Sequence, residues 1–249
     1  MSHEAHAADP VTYGSYLAVD ELLSLQRPRS AAGGEEHPDE LLFIVVHQAS
    51  ELWFKVILHE LAGLEAAMRG GDPGLALWRA TRVNSLTRIV SEQLSSLDTL
   101  PPQRFLQFRG YLGSSSGSQS AQFRRIEQRS GELEAGFLAL LAANATTVEA
   151  LYTGPGPGTL FFIAEALMEY DQQFARWRFQ HVQLVERIIG PATGGTGGSL
   201  GAQHLMRTVS QRFFPALWEA RTRLHRGDES ATPAEAGVHA PRPHGAGHP

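Results

Sequence analysis

The chain has 249 residues, a formal net charge of −5 and no cysteine. The absence of cysteine excludes disulfides, cysteine-ligated zinc, iron–sulfur clusters and thiolate-ligated haem. The mildly acidic charge argues against a nucleic-acid partner, because nucleic-acid-binding proteins carry a basic face. The polar start of the chain lacks the apolar core of a secretory signal, and its apolar runs are too short for a membrane span. We therefore expect a cytoplasmic protein without membrane contact.

Polar, low-complexity sequence marks both ends of the chain. Residues 1–11 and 226–249 are rich in Gly, Pro, Ala and His, a composition typical of disorder. Between them the apolar residues recur at helical spacing, without an internal repeat. We predict disordered termini around a single all-α domain at residues 12–225.

The helices are predicted from apolar residues three and four apart, with Gly and Pro at the helix ends. No segment has the alternating pattern of a strand, so we expect an all-α bundle built on two long antiparallel helices. The predicted helical segments are, in chain order, 12–26, 39–68, a helix from the turn at 70–74 to about Leu100, 103–112, a helix through 123–128, 132–151, 160–190 and a last helix ending near Arg223.

The helix at 160–190 has a histidine in the middle of its apolar seam. A buried neutral imidazole needs polar partners, so His181 is either a core histidine bonded to a neighbour or the axial ligand of a flat apolar cofactor. Haem suits the second role, because it binds one imidazole in an apolar slot between helices. The seam alone leaves both roles open. Its members are Leu167, Tyr170, Phe174, Trp177, His181, Leu184 and Ile188.

Two more polar side chains lie on apolar helix faces. His47 shares a face with Phe43 and Phe54, where it is either structural or an acid, a base or an orienting group for an aromatic substrate. Arg109 lies near Phe105 on the predicted short helix. It is either a surface residue or a two-point ligand for a carboxylate.

Five sequence blocks carry a more specific signal than these patterns. They resemble the tryptophan 2,3-dioxygenase family, within a wider superfamily of histidine-ligated haem oxygenases, over most of residues 12–218. The resemblance implies an all-α bundle that encloses a b-type haem, which is ferrous in the active enzyme and works with O2 as co-substrate. It also implies a homotetramer of paired subunits. The blocks are TYGSYLAVDELLSLQ, DELLFIVVHQASELWFKVILHEL, FLQFRGYLGSSSGSQSAQFRRIE, WRFQHVQLVERIIG and GTGGSLG.

The resemblance also implies roles for individual residues. His181 matches the axial ligand of the haem iron, and Trp177, one turn earlier, is expected to contact the cofactor. His47 matches the distal catalytic histidine that faces the indole N–H. Arg109 matches the arginine that holds the substrate carboxylate, and Thr196 the threonine near its ammonium group. The other matches are the indole pocket walls Phe43, Phe105 and Leu112, the loop residues Ser116 and Gly117 over the haem and substrate, and Tyr13, Tyr16 and Leu17, which close a neighbouring subunit's pocket.

The implied reaction inserts O2 across the indole C2–C3 bond of L-tryptophan or a close derivative, as in the kynurenine pathway, and gives an N-formylkynurenine-type product. One alternative is a haem monooxygenase of secondary metabolism that converts a substituted tryptophan into an oxindole or hydroxyindole. Another is a non-catalytic haem-binding sensor, which would have no use for Arg109, His47 and Thr196 together.

Three departures from the family pattern stand out. The segment between Glu127 and Trp177 is shorter than expected, Ser118 occupies a position that is usually aromatic, and the loop has an extra residue before Thr196. Changes of this kind suit either a tryptophan-degrading or a biosynthetic enzyme.

Overall fold

The computed structural model of the protein describes residues 10–191, 193 and 206–229. All regular structure within these residues is helical, which confirms the all-α prediction. Short 3-10 segments lie at Ser30–Gly33, Ser95–Thr99, Gly110–Leu112 and Gly117–Gln119. The α-helices treated below are α1 (Tyr13–Leu17), α2 (Val19–Leu23), α3 (Glu40–Arg69), α4 (Pro73–Leu94), α5 (Pro102–Arg109), α6 (Ala121–Ala143), α7 (Val148–Thr153), α8 (Thr159–Ile189) and α9 (Pro215–Glu229).

Helices α3 and α4 form an antiparallel pair joined by a tight turn. Asp72 begins α4 by accepting a hydrogen bond from a backbone N–H of the first turn, which would otherwise lack an acceptor. Near the other end of the pair, the amide of Gln93 donates to the hydroxyl of Ser50 over 2.7 Å. Arg79 binds the carboxylate of Glu60 at 2.7 Å in the middle of the pair. The pair therefore extends along most of both helices.

The two long helices, α3 and α8, lie at opposite corners of a four-helix bundle. Both pack against α4 and α6, and their side chains meet across the centre, where the rings of Phe54 and Trp177 are 6.3 Å apart. Helix α6 runs parallel to α3 and antiparallel to α8, so α3 and α8 run antiparallel to each other, as predicted. The contacts that set these directions are Glu51–Gln122 and Glu65–Arg129 between α3 and α6, and Glu127–Arg178 and Ser130–Tyr170 between α6 and α8.

Helix α6 is one continuous helix, and the prediction of two separate helices at 123–128 and 132–151 was wrong. Ser130 does not interrupt the helix, because its hydroxyl donates to a backbone carbonyl one turn earlier and bonds the Tyr170 hydroxyl at 2.7 Å. The helix ends instead at Ala143, with Asn144 as its C-cap, and Ala145 adopts a positive φ of 52°. Thr147 then caps the short helix α7.

The last helix, α9, is held against α8 by a buried carboxylate. Asp171 is fully buried, and it accepts hydrogen bonds from the backbone N–H of Phe213 and the indole N–H of Trp218 at 3.2 and 2.7 Å. The helix continues to Glu229. It therefore extends past its predicted end near Arg223 and into the tail that was predicted to be disordered.

Helix α3 is long and apolar enough to cross a membrane on length and composition alone, contrary to the prediction that every apolar run is too short for a span. Within the bundle, however, its buried Glu60 pairs with Arg79 and Arg82 of α4. The outer face of the helix bears an exposed apolar row, which we call the α3 stripe. It consists of Leu41, Val45, Leu52 and Val56, which are 43%, 43%, 51% and 38% exposed.

Candidate active site

His181 lies on α8 with its ring stacked on that of Trp177, the two centroids being 5.3 Å apart. Burial lowers the pKa of His181 to about 4, because it disfavours the charged imidazole, and the nearby His47 lowers it further. Among the described residues, neither ring nitrogen has a hydrogen-bond partner. The side chain is therefore a neutral imidazole at physiological pH, which is the form that ligates a metal.

His47 lies on α3 and is fixed by its own helix. Its Nδ1 is 2.7 Å from the backbone carbonyl oxygen of Phe43, and the two rings are 4.2 Å apart. A carbonyl oxygen can only accept, so Nδ1 carries the proton and Nε2 keeps its lone pair. Burial lowers the pKa of His47, against the opposing effects of the bond to Phe43 and the charge of Glu51. His47 therefore offers a neutral acceptor in its Nε2.

Aromatic and aliphatic side chains from α3, α5 and α8, together with residues from the end of α4 to Leu100 and with Leu112, form a second core at this end of the bundle, which we call the site cluster. The rings of Phe43 and Phe105 are 5.7 Å apart, and Phe108 lies 5.3 Å from Phe105. The predicted pocket walls Phe43, Phe105 and Leu112 thus lie together, and Trp177, which was predicted to contact the cofactor, packs against the same cluster. The buried members are Val46, Leu94, Leu97, Leu100, Phe105, Phe108, Leu184 and Ile188, with Leu42, Phe43, Leu112, Trp177 and Ile189 packed against them.

Arg109 is the last residue of α5 and is half-buried. Phe105 and Phe108, on the preceding turn, anchor α5 in the site cluster. The helix begins with Pro102, whose missing N–H is tolerated at this position. The structure therefore places the predicted carboxylate ligand at the edge of the apolar cluster.

Ser116 and Gly117 lie in a loop that is held by its own hydrogen bonds. The hydroxyl of Ser116 and the amide of Gln119 cap each other's backbone. Arg124 donates to the backbone carbonyl of Ser118 over 2.6 Å. Space beside Gly117 is open. In the part of the chain that the structure describes, no hydrogen bond or ring contact joins this loop to His47 or His181.

Tyr13, Tyr16 and Leu17 do not reach the site of their own chain. They lie on α1, and their exposed fractions are 78%, 78% and 45%. The structure thus leaves all three with their apolar surface in solvent. Thr196, the remaining predicted site residue, lies outside the described residues.

The donor set at His181 fits a haem better than a bare metal ion. In the described ranges no three His, Asp or Glu side chains are grouped as metal ligands. One imidazole alone would leave an iron ion to take its other ligands from a porphyrin. Beside it, the indole N–H of Trp177 is buried without an acceptor among the described residues, so it can donate to a bound polar group. These residues are compatible with a haem held by His181.

Two contributors to this region were not among the predicted site residues. Phe123, at the start of α6, contacts Trp177 in a tilted arrangement with 4.9 Å between ring centroids. Phe108 is fully buried beside Phe105. The three-residue spacing of the two phenylalanines on a short helix indicates a shared apolar face, but nothing in the sequence near Phe123 indicates that it meets α8.

A separate open cavity of about 570 Å³ lies where the start of α4 meets α7 and the start of α8. Its walls include Pro73, Asn144, Thr146, Leu151 and Phe161. None of these residues belongs to the site cluster or to the predicted site. Neither His47 nor His181 lines this cavity, so it is separate from the candidate site.

Fold and site together define an all-α bundle protein in which two neutral histidines on diagonal helices are associated with one aromatic cluster. A family model described as tryptophan 2,3-dioxygenase matches residues 2–140 and 138–224. The chain belongs to the tryptophan 2,3-dioxygenase family. It is thus an oxidoreductase of a dioxygenase family, as the resemblance predicted.

Individual relatives align with this chain over nearly their whole length. The tryptophan 2,3-dioxygenase of Anaeromyxobacter sp. (strain K) is 38% identical over 267 residues, with 88% of this chain and 98% of that protein covered. The enzyme of the same name from Herpetosiphon aurantiacus is 38% identical, with 86% and 98% covered. The one from Nocardioides sp. is 37% identical, with 86% and 95% covered.

The comparison also indicates where the chain is shorter than its relatives. The alignment with the Anaeromyxobacter protein spans 267 residues, more than the 249 of this chain. The two parts of the family match meet at 138–140, close to the end of α6. This junction lies within the segment between Glu127 and Trp177 that was predicted to be shortened, and in this structure that segment contains the end of α6, α7 and the Gly/Pro loop at 154–158.

Proposed function

We propose that the protein binds a ferrous haem b through His181 and inserts both atoms of O2 across the indole C2–C3 bond of L-tryptophan, giving N-formylkynurenine. The observation that carries this proposal is the presence of two neutral histidines, His181 and His47, at one apolar cluster. One can ligate iron while the other contacts substrate. The name of the relatives, tryptophan 2,3-dioxygenase, supports the substrate and the transfer of two oxygen atoms. The one-oxygen alternative is accordingly not favoured.

The indole ring is proposed to lie against Phe43, Phe105 and Leu112. Aromatic rings in offset or tilted contact add to the gain from burying apolar surface. His47 Nε2 then accepts a hydrogen bond from the indole N–H, since Nδ1 is already committed to Phe43. This bond orients the ring without removing its proton.

The amino-acid end of the substrate needs charged partners at the edge of the pocket. Arg109 is proposed to bind the carboxylate with both arms of its guanidinium, a geometry that lysine cannot reproduce. Thr196 is proposed to lie near the ammonium group. Together these contacts select an α-amino acid over a simple indole.

His181 would ligate the iron of the haem, Trp177 would contact the cofactor beside it, and Ser116 and Gly117 would lie over the haem and the substrate. When bound, ferrous haem supplies the redox centre at which O2 becomes reactive toward an electron-rich indole. The site cluster excludes water from this reaction. Cytoplasmic location is part of the proposal, consistent with a chain that has no cysteine.

The direct test is aerobic turnover of L-tryptophan by the haem-loaded protein, with the product identified by mass. N-formylkynurenine is the expected product. An oxindole or hydroxyindole, or an unchanged substrate, would contradict the proposal.

The pH dependence of turnover tests the role of His47. Its pKa is lowered from the ordinary 6.5, so the imidazole is mainly neutral at and above that pH and becomes protonated as the pH falls further. Protonation replaces the Nε2 lone pair with an N–H, which cannot accept from the indole. We expect kcat/KM for L-tryptophan to be constant from about pH 8 down to 6.5 and to decline at lower pH.

The variant His47→Ala should lack this decline and lose about tenfold in kcat/KM, the effect of one hydrogen bond. His59→Ala, a change at an exposed position of the same helix, is the matched control. A loss beyond about a hundredfold would instead indicate general-base catalysis and contradict the orienting role.

Assembly into a homotetramer, a dimer of dimers, is the last part of the proposal. The α3 stripe and the exposed Tyr13, Tyr16 and Leu17 are the apolar surfaces that would be covered by neighbours. In this arrangement α1 closes the pocket of another subunit. Light scattering should give four times the monomer mass, and Val45→Glu in the stripe should lower it; a monomeric wild type would contradict the assembly.

A further inference from the structure

The segment before α3 folds around a buried carboxylate. Glu40 in the first turn of α3 is only 1% exposed. Its two oxygens accept hydrogen bonds from the backbone N–H groups of Arg29 and Ser30 at 2.8 and 3.0 Å. Burial acts to raise the pKa of Glu40, but the bonds from Ser30 and Arg29 outweigh it and lower the pKa. The ionised carboxylate therefore ties residues 29 and 30 to the start of α3.

His37 is held in one orientation by this fold. Its backbone N–H donates to the hydroxyl of Ser30 over 2.8 Å, and the backbone N–H of Asp39 donates to its Nδ1 over 3.2 Å. Because Nδ1 accepts, Nε2 carries the proton. That proton is donated to Oε1 of Gln107 on α5, 2.8 Å away. The ring also packs on Phe108, with 5.1 Å between centroids.

These contacts reach one face of α5. Arg104, Gln107 and Phe108 are three and four residues apart, so they lie on the same side of the helix. Asp39 pairs with Arg104 at 2.5 Å, next to the contact of His37 with Gln107. A helix of only 8 residues has little stability of its own, so its position depends on such contacts. Arg109 is the next residue after this docked face.

A close approach further along the chain supports the same docking. A side chain in place of Gly33 would collide with the hydroxyl of Tyr111, just after α5. The short 3-10 turn Ser30–Gly33 therefore fits directly against the residues that follow Arg109. The segment before α3 thus contacts α5 on one side of Arg109 and the 3-10 segment Gly110–Leu112 on the other.

We propose that His37 is a positioning residue for Arg109, acting through Gln107 and Phe108 to set the direction in which α5 presents the guanidinium to a substrate carboxylate. The inference rests on the proposed role of Arg109 as carboxylate ligand. Loss of the His37 side chain should therefore weaken the binding of ligands that have a carboxylate and leave the binding of ligands without one unchanged.

The experiment compares two ligands on the haem-loaded protein without O2, with dissociation constants measured by calorimetry. L-Tryptophan and tryptamine share the indole and the ammonium group, but only L-tryptophan has the carboxylate. We expect His37→Ala to raise the dissociation constant of L-tryptophan by about tenfold, the effect of one hydrogen bond with its ring contact. The dissociation constant of tryptamine should not change. Gln107→Ala, at an exposed position, should have the same selective effect without disturbing the fold.

The controls separate this inference from the function on which it rests. His37→Gln, which keeps an N–H donor, should recover most of the affinity for L-tryptophan, and His59→Ala should change neither ligand. Equal weakening of both ligands, or no weakening of L-tryptophan, would overturn the positioning role of His37. If the wild type bound both ligands equally, the role of Arg109 itself would be wrong, and the proposal would fall with it.

Discussion

Replacement of His181 by alanine is expected to give a folded protein that lacks the absorption band of histidine-ligated haem. The larger of the two hydrophobic cores does not include His181, so helix content should be retained. The bond between the protein and the haem iron should be lost, because the described residues of the α8 seam include no second histidine that could replace His181. Added imidazole should restore the band, since the truncated side chain leaves room for it.

The measurements are the visible absorption spectrum, the haem content and the circular dichroism of the variant. His59→Ala provides a control for the loss of a histidine at an exposed position. A normal spectrum in His181→Ala would contradict the assignment of the axial ligand.

The second large effect concerns the substrate carboxylate. Arg109→Ala removes a charged hydrogen-bond donor pair, which corresponds to about 1.5–3 kcal/mol. The KM for L-tryptophan should therefore rise by a factor of about 10 to 150. Steady-state kinetics at saturating O2 measure this change.

Two further variants sharpen the result. Arg109→Lys keeps the charge but not the planar fork, so it should recover little of the loss. Arg88→Ala, at an exposed position of α4, should leave KM unchanged. An unchanged KM in Arg109→Ala would mean that the carboxylate binds elsewhere.

Much of the bundle follows from helical spacing alone. The seam from Leu167 to Ile188 predicts α8, and the same periodicity predicts α3, because both faces repeat over many turns. The end of a helix depends on fewer residues and is harder to predict. Ser130 and Gly131 suggest a break in α6, yet a buried bond to Tyr170 accommodates the serine. That bond involves a residue far along the chain, so local sequence gives no sign of it.

Helical spacing alone predicted less of the candidate site than of the bundle. The seam made His181 a candidate ligand, but the choice between ligand and core residue needed the resemblance carried by the other blocks. The fixed proton of His47 depends on a bond within one helical turn. By contrast, the meeting of Phe123 with Trp177 and of His37 with Gln107 joins distant segments, and no pattern in the sequence predicts either.

Among the described residues, the site cluster of the chain does not include its own Tyr13, Tyr16 or Leu17. Tyr13 and Tyr16 point their apolar surface into solvent, which is what a segment shared with a neighbouring subunit would do. Their role stays a prediction until the assembly is measured. The side-chain amide of Gln48 on α3 donates a hydrogen bond to the backbone carbonyl of Leu25. This bond holds the chain just after α2 beside the helix that bears His47.

The central claim is the insertion of both atoms of O2 into L-tryptophan, and turnover under ¹⁸O2 tests it most directly. The product should be N-formylkynurenine with two labelled oxygens, one in the formyl group and one in the ketone. A product with only one labelled atom, the other oxygen position being absent or derived from water during the reaction itself, would contradict the account.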